Sequence, residues 1–171
     1  DWRGWAMRIG PDGKMVPMAG GLRSPAGIEI APWGDVFYTD NQGEWCGTNK
    51  LCHIEEGDYF GHIWGVESAK LPISRMKYPG KTPDGLTYVE ARKQIPDLKL
   101  PVVWFPYDKM GKSAAGMVWY VSGSQYHSGK IAVFMPNTSS STSSKLIRTG
   151  PKPIDMAPLA PSVPSVAKVR I

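Results

Sequence analysis

The sequence predicts an all-β protein with one short helix. Three observations carry that class. Apolar side chains alternate with polar ones in short runs such as Ala26 to Ile30 (AGIEI), the period of two that a half-buried strand requires. Those runs are bounded by turn residues, as in Pro11-Asp12-Gly13-Lys14 and Pro32-Trp33-Gly34-Asp35. Only the stretch Thr87-Tyr88-Val89-Glu90 carries a helix start, a capping box in which Thr and Glu three residues apart satisfy each other's backbone amides.

Taken in order, Trp5 to Ile9 (WAMRI) and Met15 to Met18 (MVPM) flank the Pro-Asp-Gly turn and read as strand, turn, strand. Ala26 to Ile30 and Val36 to Thr39 (VFYT) form a second hairpin, because proline fixes φ and glycine tolerates φ > 0 in the turn between them. Leu51 to Glu55 is the next strand, closed by Glu56-Gly57-Asp58. Residues 66 to 100 break this rhythm and read as a surface insertion. In it a helix is predicted from Tyr88 to about Ile95, with Tyr88, Ala91 and Ile95 on one face and Pro96 as its stop. Strand signals return with Pro101 to Tyr107, Ser113 to Val121 and Gly129 to Met135. A polar loop, Asn137 to Ser144, and a last strand at Lys145 to Arg148 follow. The second half echoes the first, Ser24-Pro25-Ala26-Gly27-Ile28 against Ser113-Ala114-Ala115-Gly116-Met117, at 116 − 27 = 89 residues. These elements make one domain, 1–149. Residues 150–171 carry Pro151, Pro153, Pro158, Pro161 and Pro164 among small residues and read as a linker or tail.

Composition narrows the function classes. The chain has 171 residues, 42% of them hydrophobic, which is enough for one core. Its net charge of +5 is spread singly, with no basic run interleaved with aromatics, which argues against a nucleic-acid partner. No run reaches the ~18–20 apolar residues of a membrane span. Cys46 and Cys52 have only His53 close by in sequence, too few ligands for zinc. They stand either as a local disulfide or as two thiols.

The order GLRSPAG, strand, P-x-G, strand, TDNQG, then K-L-x-x-I-x-x-G-x-Y-x-G-H resembles the glucose/sorbosone dehydrogenase family. These are soluble quinoproteins folded as six-bladed β-propellers, with related propeller modules in large multidomain bacterial proteins. The likeness is specific over Gly21 to His62 and weaker, though collinear, from Pro101 to about Thr149. A whole propeller at ~40–45 residues per blade needs about 250 residues or more. The resemblance therefore implies a partial propeller of roughly two to three blades. The 89-residue echo then reads as about two blade lengths.

The resemblance also implies a chemistry: oxidation of a sugar or polyol CH–OH group by pyrroloquinoline quinone (PQQ) beside Ca²⁺. Arg23 holds the position of the family's quinone-contacting arginine, where a planar guanidinium suits an anionic tricarboxylate. From its neighbours alone, Arg23 could equally pair with Asp40 or Glu44. Ser24 replaces the family's asparagine at the adjoining cofactor position, and Trp104 is a candidate aromatic wall. The family's calcium lies at the Q-G step, which assigns Gly43 and Glu44, with Asp40 and Asn41 supplying further hard oxygens. His53 and His62 are expected as packed structural histidines. The family's catalytic base belongs to an earlier blade, upstream of Asp1, and a quinone-binding lysine expected after Pro136 is replaced by the Ser/Thr run. The alternative function is a non-catalytic binding module beside a haem domain. The implied partners are a sugar, the rest of the propeller and a cytochrome. The implied location is periplasmic or secreted, which favours a Cys46–Cys52 bridge.

Overall fold

A computed structural model describes side chains for residues 1–107, 109–110 and 112–119, and the backbone alone for Tyr120 and for 130–136, 142–148 and 168–170. The described strands are β1 (Trp5–Ile9), β2 (Met15–Gly20), β3 (Pro25–Ile30), β4 (Val36–Asp40), β5 (Asn49–Ile54), β6 (Val103–Phe105), β7 (Met117–Tyr120), β8 (Lys130–Pro136), β9 (Thr142–Arg148) and β10 (Lys168–Arg170). They make three antiparallel sheets, ordered β10-β1-β2, β3-β4-β5-β6 and β7-β8-β9. One helix, α1 (Tyr88–Gln94), and a 3-10 turn, Val66–Lys70, lie between β5 and β6.

The central strands of the middle sheet, β4 and β5, are buried on both faces, and the alternation along them explains why. Tyr38 pairs across from Cys52 and Asp40 from Lys50, so these four share one face, while Phe37 and Thr39 share the other with Leu51. On the first face Tyr38 and Cys52 pack with Ala6 and Ala19 of the first sheet and with Leu22 and Phe60. On the second, Phe37, Leu51 and Phe105 pack with Met117 and, at the edge, Trp119 of the third sheet. Sheets stacked face to face in chain order, each made of three or four antiparallel strands, form a partial β-propeller.

The echoed segments begin neighbouring sheets, β3 and β7, and their glycines meet. A Cβ on Gly27 would sit 2.6 Å from the Ala115 oxygen and 2.9 Å from Gly116 Cα, so only glycine lets the two inner strands come this close. The 89-residue spacing is therefore one sheet plus an insertion, not two blades.

Residues 55–102, which include the predicted insertion of 66 to 100, leave the middle sheet, and their first part lies along β2 of the first sheet. Gly20 N donates to Asp58 O at 3.0 Å, Phe60 N to Gly20 O at 2.9 Å, and His62 N to Gly21 O at 2.9 Å. Reading it as a surface element understates it. Tyr59, Met76, Ala91, Ile95 and Leu98 bury themselves with Trp5 in a core of their own. The capping box forms as expected: Thr87 Oγ1 accepts from Glu90 N at 3.3 Å while the Glu90 carboxylate accepts from Thr87 N at 2.8 Å.

Other boundaries shift for local reasons. The run from Pro101 to Tyr107 contributes only Val103–Phe105, flanked by Pro101 and Pro106, which lack the ladder N–H. Strand β7 starts at Met117 because Ala114 and Ala115 are tied to β4 and its loop: Ala114 N donates to Asn41 Oδ1 at 2.8 Å, and Thr39 Oγ1 to Ala115 O at 2.7 Å. The Ser/Thr run expected as loop to Ser144 is strand from Thr142, in register with β8 through Pro136↔Thr142 and Phe134↔Ser144. The proline-bearing stretch 150–167 lies outside the described residues. Beyond it β10 pairs with β1, Met7↔Arg170 to Ile9↔Lys168.

Cys46 and Cys52 are free thiols, which overturns the expected bridge. Cys52 points from β5 into the interface with the first sheet and is fully buried, whereas Cys46 sits in the loop with Sγ toward Thr48 O at 3.9 Å. Burial pushes the Cys52 thiol up to about 12, so it stays protonated and inert. No described helix is long and apolar enough to cross a membrane.

Candidate functional site

The site forms where the β2–β3 connection meets the β4–β5 loop. Asp40, at the end of β4, is wholly buried and organises it. Its Oδ1 accepts from Ser24 N at 2.7 Å and its Oδ2 from Arg23 N at 3.2 Å, while the Lys50 ammonium lies 3.4 Å from Oδ2. Lys50 is only 3% exposed, a charge that one carboxylate compensates. Asn41 completes the frame by donating from Nδ2 to Ser24 O at 3.1 Å.

This frame sends the Arg23 side chain across Gly43. A Cβ on Gly43 would lie 2.8 Å from both Cγ and Nε of Arg23, so glycine leaves room for the Arg23 side chain to cross the loop. Arg23 Nη2 reaches Glu44 Oε1 at 3.3 Å, the pairing that the sequence left open between Asp40 and Glu44. Its Nε is buried without a hydrogen-bond partner among the described residues. Opposite, His62 Nε2 stands 3.5 Å from Glu44 Oε2. His62 Nδ1 accepts from Trp64 N at 3.3 Å, which leaves the ring proton on Nε2, facing the carboxylate.

The Glu44 carboxyl is drawn down to about 2, first by its own main-chain N–H and then by Arg23 and His62. A depressed carboxyl stabilises the fold above its ordinary value of 4.5 and loses that contribution as pH falls toward about 2. A carboxyl-resolved NMR titration should accordingly show Glu44 ionised through the range where free carboxylates protonate. A midpoint at the ordinary glutamate value would mean that the Arg23–Glu44–His62 arrangement does not hold in solution.

Arg23, Lys50 and His62 line one small pocket of about 10 Å³ together with Gly43, Trp45 and Cys46. Its aromatic wall is Trp45, not Trp104. Trp45 donates from Nε1 to Leu86 O at 2.7 Å and stacks on Tyr88 with ring centroids 4.4 Å apart. Trp104 lies on the edge strand β6, 38% exposed and edge-on to the far side of Tyr88 at 4.8 Å. His53 behaves as the packed histidine expected of it, stacked on Phe37 at 4.9 Å.

The residues present offer an anionic group one free donor, in a pocket with room for about one water. The Arg23 Nε is orphaned and buried there, whereas the Lys50 ammonium is compensated by Asp40 and the Arg23 guanidinium pairs with Glu44. For a metal the side chains offer less. Asp40 and Asn41 are committed to backbone amides and Glu44 to Arg23 and His62; Gln42 Oε1 is buried and unpartnered. Among the described residues no cluster of three or more His, Cys, Asp or Glu side chains could hold a metal ion.

Lys50, Trp45 and His62 escaped the sequence reading as site residues. Lys50 was legible through hairpin register, since pairing Thr39 with Leu51 sets Asp40 opposite Lys50. Trp45 offered only its place beside Glu44.

The chain matches no family model and no curated protein. Among solved structures it is similar to the PQQ-bound form of Aldose Sugar Dehydrogenase (Adh) from Streptomyces coelicolor, with 15% identity over 87% of this chain and a TM-score of 0.46. It spans 40% of the length of that chain.

Proposed function

We propose that this chain is part of a quinoprotein propeller of the glucose/sorbosone dehydrogenase type, acting on the CH–OH group of a sugar or polyol, and that Arg23 binds its PQQ cofactor. The observation that carries the reading is the Arg23 guanidinium laid over Gly43, its Nε unpartnered, in one pocket with Lys50 and His62. When bound, the quinone supplies the two-electron acceptor for the alcohol. Arg23 offers its free Nε to one of its carboxylates, Ser24 lies beside it, and Trp45 takes the place given to Trp104 as the ring against its plane. Calcium, in this reading, is held by main-chain oxygens at Gly43 and Glu44 with the orphaned Gln42 Oε1. The base that removes the hydroxyl proton belongs to another part of the propeller, and the protein works in the periplasm or outside the cell.

A second reading has one specific observation in its favour. Glu44 already pairs with Arg23, as a bracing residue would, and a non-catalytic propeller module beside a haem domain needs nothing more. Titrating PQQ with Ca²⁺ into the wild-type protein and into Arg23→Ala, with a thermal melt of each, separates the two. Loss of a charge-assisted contact worth ~1.5–3 kcal/mol should weaken PQQ binding by roughly ten- to a hundredfold while the melt barely moves. A lowered melt with no PQQ binding in either protein would establish the bracing role and end the quinone reading.

A further inference from the structure

We propose that the pocket beside Arg23 is a site for one internal water, bonded to Arg23 Nε, which any ligand reaching that nitrogen must displace. The pocket measures about 10 Å³, at the lower edge of the roughly 10–15 Å³ that a water needs. A larger group enters only if the walls move.

The pocket calls for an acceptor. Arg23 Nε is buried and donates to no described atom, although the far end of the same guanidinium reaches the exposed Glu44. A buried N–H left unpaired is costly, and the side-chain oxygens of this loop are engaged elsewhere. Asp40 accepts from Arg23 N and Ser24 N, Asn41 Oδ1 from Ala114 N, and Glu44 faces Arg23 Nη2 and His62. Gln42 Oε1, itself unpartnered, does not line the pocket. A water supplies the missing oxygen.

The charge balance selects water over a free anion. Lys50 lies 3.4 Å from Asp40, and Arg23 lies 3.3 Å from Glu44, which His62 also faces. A halide would add a negative charge that nothing here offsets, whereas water adds none. The lining gives the water Arg23 Nε and the Lys50 ammonium as donors and the Cys46 sulfur as a weak acceptor, within the about two to four polar partners that interior waters have. For Arg23 this water is a positioning element. It satisfies the donor that is taken out of solvent where the side chain crosses Gly43. The inference stands apart from the quinone reading, in which a PQQ carboxylate oxygen, with Ca²⁺ to offset its charge, would take the water's place.

A high-resolution crystal structure of the protein grown with bromide tests this. Density for one water is expected within ~2.7–3.2 Å of Arg23 Nε, with no anomalous bromide signal in the pocket. In solution, a ¹⁵N-edited rotating-frame Overhauser spectrum should show a water contact at the Arg23 Nε proton. Arg23→Met should lose that contact, and Cys46→Ala should keep it, which excludes the thiol proton as its source. Should Arg23→Met not fold, the Cys46→Ala spectrum and the crystal density decide between them. A pocket without water density, a protein atom bonded to Nε, a bromide signal in the pocket, or loss of the contact in Cys46→Ala would each overturn the proposal. None of these measurements contains PQQ, so none depends on whether PQQ binds at Arg23.

Discussion

Asp40→Ala is expected to destabilise the protein by about 3–5 kcal/mol, a large part of the ~5–15 kcal/mol that holds a domain folded. Asp40 is 0% exposed and Lys50 3%, with the ammonium 3.4 Å from the carboxylate. Removing the carboxylate leaves a charge buried without compensation. The same substitution strips the acceptors from Arg23 N and Ser24 N, so the chain loses the frame that aims Arg23 across Gly43. Urea unfolding measures the loss. Lys50→Met in the Asp40→Ala background should restore much of it, because the penalty lies in the orphaned charge more than in the missing pair. A loss below about 1 kcal/mol for Asp40→Ala would show that Lys50 reaches solvent and that the pair is not what organises the loop.

Gly61→Ala should have an effect of similar size and reach the site by another route. Gly61 has φ 96°, and a Cβ there would lie 2.3 Å from Cζ3 of the Trp45 ring. The ring cannot step aside cheaply, being fixed at Leu86 O and stacked on Tyr88. Left-handed backbone strain costs roughly 1–3 kcal/mol and overpacking about as much again. Relief comes by driving Trp45 from its place beside Arg23, so near-UV circular dichroism should change together with the melting temperature. In a Trp45→Ala background the same glycine substitution should cost only the strain. Equal costs in both backgrounds would mean that the ring and the glycine do not press on each other.

Much of the fold is legible in the sequence because its signals are local. The alternation at Ala26 to Ile30, the turns at Asp12-Gly13 and Trp33-Gly34 and the Thr87–Glu90 capping box each need only a few adjacent residues. They form where they are read. Arg23 and Gly43 were singled out by the family resemblance over Gly21 to His62, and the structure brings the two side by side. Trp45 and Trp104 were not distinguishable, since both are tryptophans flanking a strand, and only the path of α1 decides which ring faces Arg23. The bridge was expected from the location that the resemblance implies, yet β5 turns Cys52 into the sheet interface and both thiols are free.

The sequence by itself determined the strands, the turns, the helix and the arginine motif, all set by backbone preferences within a turn or two. The tertiary structure alone decided that the 89-residue echo joins neighbouring sheets, that Lys50 sits buried against Asp40, and that the insertion shares a core with Trp5. Those outcomes depend on which buried faces meet, and that choice is made by packing between residues tens of positions apart, where no local preference reaches.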